Sequence, residues 1–274
     1  MDYREFAPHP SLQPLVRCFW SLSATGADQR EPEPALPDGS PELIFNFGDP
    51  FEAIGEKGEP VEQPRLMLVG QITRPFTVVP TGGMDLFAVR FRPHGASLLC
   101  DDLGAITNTW LHGAELPVEA LEDVYHLMKE SPETTDRLGL IDRWLKACLE
   151  LRLLSRDVDV EQAVQAIEES HGTLSLDELA DELGITSRKL QRRFAVKVGI
   201  SPKLLARIRR FQRVFSAWRD DKSSLSRVAL ECGYFDQSHL IRDFRDFAGK
   251  APAAFLANQP EFTQLFLPTN RLEG

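Results

Sequence analysis

The sequence predicts an α+β chain: a β-rich N-terminal part, a helical stretch behind it, and an all-α C-terminal part with two helix-turn-helix motifs. Three observations predict it. Short apolar runs broken by Gly and Pro fill residues 1 to about 105. From Pro117 the apolar spacing changes from strand-like to helical. Between Ser175 and Phe255 one small device occurs twice: Leu190, Arg192, Phe194, Gly199 and Pro202 recur fifty positions on as Leu240, Arg242, Phe244, Gly249 and Pro252.

At 274 residues the chain has room for about two domains. They are expected at 1–155 and 156–258, with a tail from 259 to 274. Leu15–Ser23, Glu42–Phe47, Arg65–Gly70, Phe76–Val79 and Asp85–Phe91 are rich in Val, Ile, Phe and Leu and are expected as strands. Between them stand Pro37-Asp38-Gly39, Gly48-Asp49-Pro50, Gly55–Gly58 and Thr81-Gly82-Gly83, all turn chemistry. Many short strands with such turns suggest a barrel or a sandwich. A small barrel encloses either a ligand or only its own side chains. The candidate pocket residues are Trp20, Phe45, Phe47, Arg90 and Arg92. For the three aromatics the competing reading is plain core. Arg90 and Arg92 alternate along one strand and could grip a ligand's carboxylate or phosphate, or form structural ion pairs.

Helices follow at Val118–Lys129 and Thr135–Leu154. The second carries Leu138, Ile141, Leu145, Cys148 and Leu149 on one face, which can pack on the barrel or on the same helix of a second subunit. Ser155–Asp159 is a short polar connection, and Val160–Glu169 would open the next domain by burying Ala163, Val164 and Ile167.

In the first copy of the repeat Ser175 can cap the helix Leu176–Leu183, with Glu178 completing a capping box. Gly184 ends that helix, and Thr186 can cap Ser187–Val198. In the second copy Leu225–Cys232 ends at Gly233, and Asp236 caps Gln237–Ala248. Two short helices around a Gly-bearing turn can place the second helix in a DNA major groove. An ordinary αα-hairpin is the alternative. On the second helices Leu190, Phe194, Val198 and Leu240, Phe244, Ala248 form apolar stripes. Arg188, Arg192, Ser238, Arg242 and Arg245 project the other way, with Gln191 on the flank. Arg and Gln pair bidentately with guanine and adenine edges, each pair worth ~1–3 kcal/mol of discrimination. Charge is partitioned accordingly. His171 to Ala257 holds 16 Lys and Arg against 10 Asp and Glu, a net of +6 inside a chain of net −10.

The segments LSLDELADELGITSRKLQRRFAVKVGISPKLL and SRVALECGYFDQSHLIRDFRDFAGKAPAAF resemble the paired helix-turn-helices of the AraC/XylS family of transcription regulators. The resemblance implies a two-lobed domain whose linking helix, about Lys203–Trp218, holds both recognition helices in successive major-groove segments of double-stranded DNA. Base reading would fall to Arg188, Gln191, Arg192, Gln237, Ser238 and Arg242. Thr186, Lys203 and Arg245 are the candidates for phosphate contact. Ala251 stands where the family has Ser before Pro252, which puts a hydroxyl contact there in doubt. The resemblance also implies a cupin-like N-terminal barrel that takes a small-molecule effector, a homodimer, and contact with RNA polymerase. PDGSPELIFNFGD and VRFRPHGA are similar to the sensor domain of one subgroup. A DNA-binding protein whose N-terminal domain only dimerises or contacts proteins is the alternative, and a barrel enzyme the remoter one.

No catalytic constellation emerges, and neither a cofactor nor a metal is expected. The four cysteines and six histidines are scattered without ligand spacing. Cys232 reads as a small buried thiol, with redox sensing through Cys18 or Cys100 as a minor alternative. No apolar run approaches the length of a membrane span, and the N-terminus lacks a secretory pattern, so a cytoplasmic protein is expected.

Overall fold

The computed structural model describes residues 1–25, 32–55, 58–131, 133–152, 156–220 and 224–257. The expected boundary at 155, part of the Gly55–Gly58 turn, the end of the second linker helix and the tail from 259 lie outside the described residues.

In chain order the strands are β1 (Asp2–Phe6), β2 (Val16–Ala24), β3 (Glu33–Ala35), β4 (Glu42–Asn46), β5 (Phe51–Ile54), β6 (Pro60–Glu62), β7 (Leu66–Val69), β8 (Phe76–Pro80), β9 (Met84–Phe91) and β10 (Trp110–His112). They pair antiparallel into two sheets, one ordered β1-β2-β9-β4-β7-β10 and the other β3-β8-β5-β6. The five expected strands are all present. The other five were passed over because three have only three residues, two carry Pro, and all lie at or near sheet edges.

Alternation assigns the two faces of the large sheet. Register places Leu43 opposite Val89 and Phe45 opposite Phe87, and these four turn to one side. There they join Phe19, Leu68 and Phe91 in a core closed by the helices α1 (Leu121–Glu130) and α2 (Thr134–Arg152). Trp20, Leu22, Leu86 and Ala88 turn to the other side, against Phe51 and Val78 of the smaller sheet. The apolar face of α2 is spent within this core: Ile141, Trp144, Leu145 and Cys148 are all buried there.

The C-terminal part comprises α3 (Val158–Glu169), α4 (Leu176–Glu182), α5 (Ser187–Val198), α6 (Pro202–Asp220), α7 (Leu225–Glu231), α8 (Gln237–Ala248) and α9 (Pro252–Ala257). Its core is separate, running from Val160 to Phe255. α6 is the axis, burying Leu205, Ile208, Phe211, Val214 and Phe215. The Phe211 ring lies 5.2 Å from that of Phe244 and 5.3 Å from that of Phe247, which ties α6 to α8. Arg207 adds ion pairs to Asp243 at 2.8 Å and Asp246 at 2.7 Å.

The caps account for the helix starts. Ser175 Oγ accepts from Glu178 N, Thr186 Oγ1 from Lys189 N at 3.2 Å, and Asp236 Oδ1 from His239 N at 2.7 Å. Ser224 does the same for α7, accepting from Arg227 N. Among the described residues no helix is long and apolar enough to cross a membrane.

Candidate functional site

Two surfaces have the makings of a site: the outward face of α5 and α8, and a cavity between the sheets.

On α5 the stripe Leu190, Phe194 and Val198 is buried, and that leaves Arg188, Gln191 and Arg192 exposed together. On α8 Leu240, Phe244, Phe247 and Ala248 are buried, while Ser238, Arg242 and Arg245 are exposed. Gln237 is half-buried, and its Oε1 accepts from Ser226 Oγ at 2.7 Å, so its amide leaves N–H groups rather than a free oxygen to offer. Thr186 and Lys203 are exposed beside the N-termini of α5 and α6. Arg193 is spent differently, paired with Asp157 and Asp159 ahead of and on α3. Each of the two capped helices thus presents guanidinium and amide groups away from its buried stripe.

The cavity offers about 130 Å³ to the centre of a water molecule. Its walls are mostly apolar, with Ile44, Phe51, Met67, Phe76, Val78 and Leu86 among them. Trp20 and Arg90 line it, but Phe45, Phe47 and Arg92 do not. Phe45 has the opposite parity on β4, where Glu42, Ile44 and Asn46 face the cavity. Phe47 packs on the helical side, stacked with Tyr125 at 5.4 Å and covered by the Arg137 guanidinium at 4.2 Å. Arg92 lies beyond the end of β9 and pairs with Glu168 on α3. Neither arginine is waiting for an anion. Arg90 Nε donates to Glu42 Oε1 at 2.7 Å, with Glu5 at 3.5 Å and Asp38 at 3.8 Å. Burial pushes the Glu42 carboxyl above its ordinary value, against the pull of Arg90.

Sequence reasoning missed that the C-terminal part closes this cavity. Gln212 of α6 lines it and donates Nε2–H to Pro37 O at 2.6 Å. The neighbouring Arg209 donates to Asp38 O at 3.0 Å. Gly39 (φ +77°) lies so near α6 that a Cβ would come within 2.9 Å of Leu205 Cδ1. The turn 36–40 is therefore held between cavity and helix. The only sequence signal was its Pro-Asp-Gly turn chemistry.

Two more contacts join the halves. Glu168 gathers Arg17 at 2.7 Å, Arg92 at 2.9 Å, and Arg209. Burial alone would raise the Glu168 carboxyl, but Arg209, Arg17 and Arg92 together hold it below its ordinary value. Burial, then crowding by Arg17, brings Arg209 down to about 10. At the other contact the end of α5 sits on the turn Leu103–Ile106, and Thr107 Oγ1 donates to Gly199 O at 2.5 Å.

All four cysteines are buried and unpaired by disulfides. Burial pushes the Cys18 thiol up to about 12, those of Cys148 and Cys232 to about 11, and that of Cys100 upward. Thiols so shielded are poor redox sensors.

Residues 179–258 match the family model of a helix-turn-helix domain. Residues 4–110 match that of a domain of unknown function, DUF6597. No curated protein matches the chain. Among solved structures, ToxT from Vibrio cholerae is similar, with 11% identity, 92% of this chain and 99% of that chain covered, and a TM-score of 0.50. The likeness shows a shared fold. A structure of unsaturated fatty acid bound wild-type ToxT from strain SCE256 aligns at 11% identity over 93% of this chain and 96% of that one, with a TM-score of 0.47.

Proposed function

We propose, from the premise that the C-terminal region is a helix-turn-helix domain of the AraC type, that the chain is a sequence-specific, effector-responsive transcription regulator. The observation that carries the reading is the doubled recognition face, Arg188, Gln191 and Arg192 on α5 with Gln237, Ser238 and Arg242 on α8. The twin helices are locked to one axis, α6, so both can engage successive major-groove segments. Thr186, Lys203 and Arg245 are assigned to phosphates, which set position without reading sequence.

The units are 1–155 and 156–258, with the sensing role in the first. An effector in the cavity would touch Gln212 and the turn 36–40 directly, both of which belong to the junction with the DNA-binding part. Binding there favours one arrangement of α6 relative to the sheets, a population shift that needs only different affinity for the two arrangements. The same reading places the protein in the cytoplasm as a homodimer in contact with RNA polymerase.

Selection of bound duplexes from a random DNA pool, with and without a metabolite extract, tests this. A motif spanning two adjacent major-groove segments is expected, and its recovery should change with extract. Folded protein that enriches nothing under either condition would overturn the regulator reading. Enrichment indifferent to every extract fraction would leave the N-terminal part as a dimerisation or protein-contact module.

A further inference from the structure

The cavity's polar end specifies a class of ligand, and the inference rests on the effector reading above. One guanidinium, Arg90, stands among three carboxylates, those of Glu42, Glu5 and Asp38. Of these four groups Arg90, Glu42 and Asp38 line the cavity, so its wall brings two carboxyl groups and one guanidinium, which Glu42 holds at 2.7 Å. Arg209 lies behind Asp38, donates to its carbonyl oxygen and shares Glu168 with Arg17 and Arg92. Among the described residues no other cation lines the wall.

Two buried oxygens stand beside it, of which the Gln212 amide oxygen can only accept while the Ser40 hydroxyl can accept or donate. Gln212 and Ser40 are each 6% exposed and line the cavity. Gln212 Oε1 and Ser40 Oγ have no hydrogen-bond partner among the described residues. The orientation of the Gln212 amide follows from its neighbour: Nε2 donates to a carbonyl, Pro37 O, so the oxygen is the end turned loose. A buried acceptor without a donor is costly. A protonated head group can donate to Gln212 Oε1 and meet the Asp38 carboxylate at the same time.

We propose that the cavity binds a largely apolar molecule ending in a protonated amine or amidine, whose N–H groups are donated to Gln212 Oε1, Asp38 and Ser40 Oγ. Ile44, Phe51, Phe76 and Leu86 enclose its apolar body. A carboxylate in the same place would lie among Asp38 and Glu42 beside an arginine already committed to them. A cation held by Gln212 engages α6 itself, so recognition of the head group and the signal to the DNA-binding part share one residue.

Calorimetric titration of the full chain with phenylpropylamine, phenylpropanol and phenylpropanoate tests the head group with the body held constant. The amine should bind at least about tenfold tighter than the alcohol, with the carboxylate weakest. Asp38→Asn, which keeps an oxygen for the Ser40 N–H that Asp38 Oδ1 now receives at 2.8 Å, should erase most of the amine's margin while leaving alcohol binding in place. Gln212→Leu should weaken amine and alcohol alike. If the alcohol or the carboxylate matches the amine on the wild type, the cationic class is overturned and the effector cavity survives. If none of the three binds, and none alters DNA selection, the cavity reading falls together with the ligand class.

Discussion

Glu168→Gln is the most informative single change, because it removes one charge and little volume from the junction between the two halves. Three guanidiniums then face each other without a carboxylate. Arg17 and Arg92 are a third or more exposed, so water and salt screen them and each pair is worth no more than ~1 kcal/mol. Arg209 is buried, and removing the partner of a buried charge costs ~3–5 kcal/mol. Counting Arg209 alone at the lower end gives a loss of about 3 kcal/mol. At ~2–4 °C per kcal/mol for a chain of this size, the midpoint should fall by about 6–12 °C at pH 7. The pH dependence has a definite sign. Glu168 is held below its ordinary 4.5, so its contribution is fully present above that value and is lost as pH falls through the lowered one. The gap between wild type and variant should therefore narrow as pH falls below 4.5 and close once Glu168 is protonated in both states. Thermal melts by circular dichroism at a series of pH values read both effects. A variant melting within about 1 °C of the wild type at pH 7, or a gap that does not change with pH, would refute the role given to the Glu168 cluster.

Three further outcomes are expected. Arg192→Ala and Arg242→Ala should relax preference at particular base pairs, by ~1–3 kcal/mol each, whereas Lys203→Ala should weaken operator and scrambled DNA alike and flatten the salt slope by about one. Equal losses on both DNAs for Arg192→Ala would remove it from the base-reading set. Gly199→Ala should destabilise by ~1–2 kcal/mol from φ +88° alone. It should cost more because its Cβ would stand 2.8 Å from Leu103 O, and urea titration reads the loss. The four thiols should react with Ellman's reagent only as the chain unfolds, and prompt reaction of Cys18 or Cys100 in native buffer would contradict their burial.

The arrangement explains why a regulator would place its cavity here. The two sheets and the turn 36–40 enclose a space that Gln212 of α6 also lines, and α6 is the axis of the C-terminal core. Gln212 belongs to both the cavity wall and α6. Gly199 marks the second meeting point, where α5 ends directly against the N-terminal part.

The sequence by itself determined the C-terminal half almost completely. A repeat of fifty positions, caps at Ser175, Thr186 and Asp236, and apolar stripes on α5 and α8 are all short-range signals. Each states within a dozen residues where a helix begins, ends and turns its polar face. The boundaries Ser187–Val198 and Gln237–Ala248 are those expected from these signals alone. In the N-terminal half the same kind of reasoning found the long strands but not which parity of each faces the cavity. Phe45 and Ile44 are neighbours on one strand, and only pairing across β4, β7 and β9 decides that Ile44 faces the cavity and Phe45 the helices. A slip of one residue in that pairing would exchange them. Arg90 and Arg92 have the same parity too, yet one ends inside the cavity and the other on α3, because β9 stops at Phe91. The choice for α2 between its own sheet and a second subunit was likewise tertiary, since an apolar stripe names no partner. Helical signals are written along the chain at short range; strand faces and ion-pair partners are set by contacts between segments far apart in sequence, and only the folded chain brings those segments together.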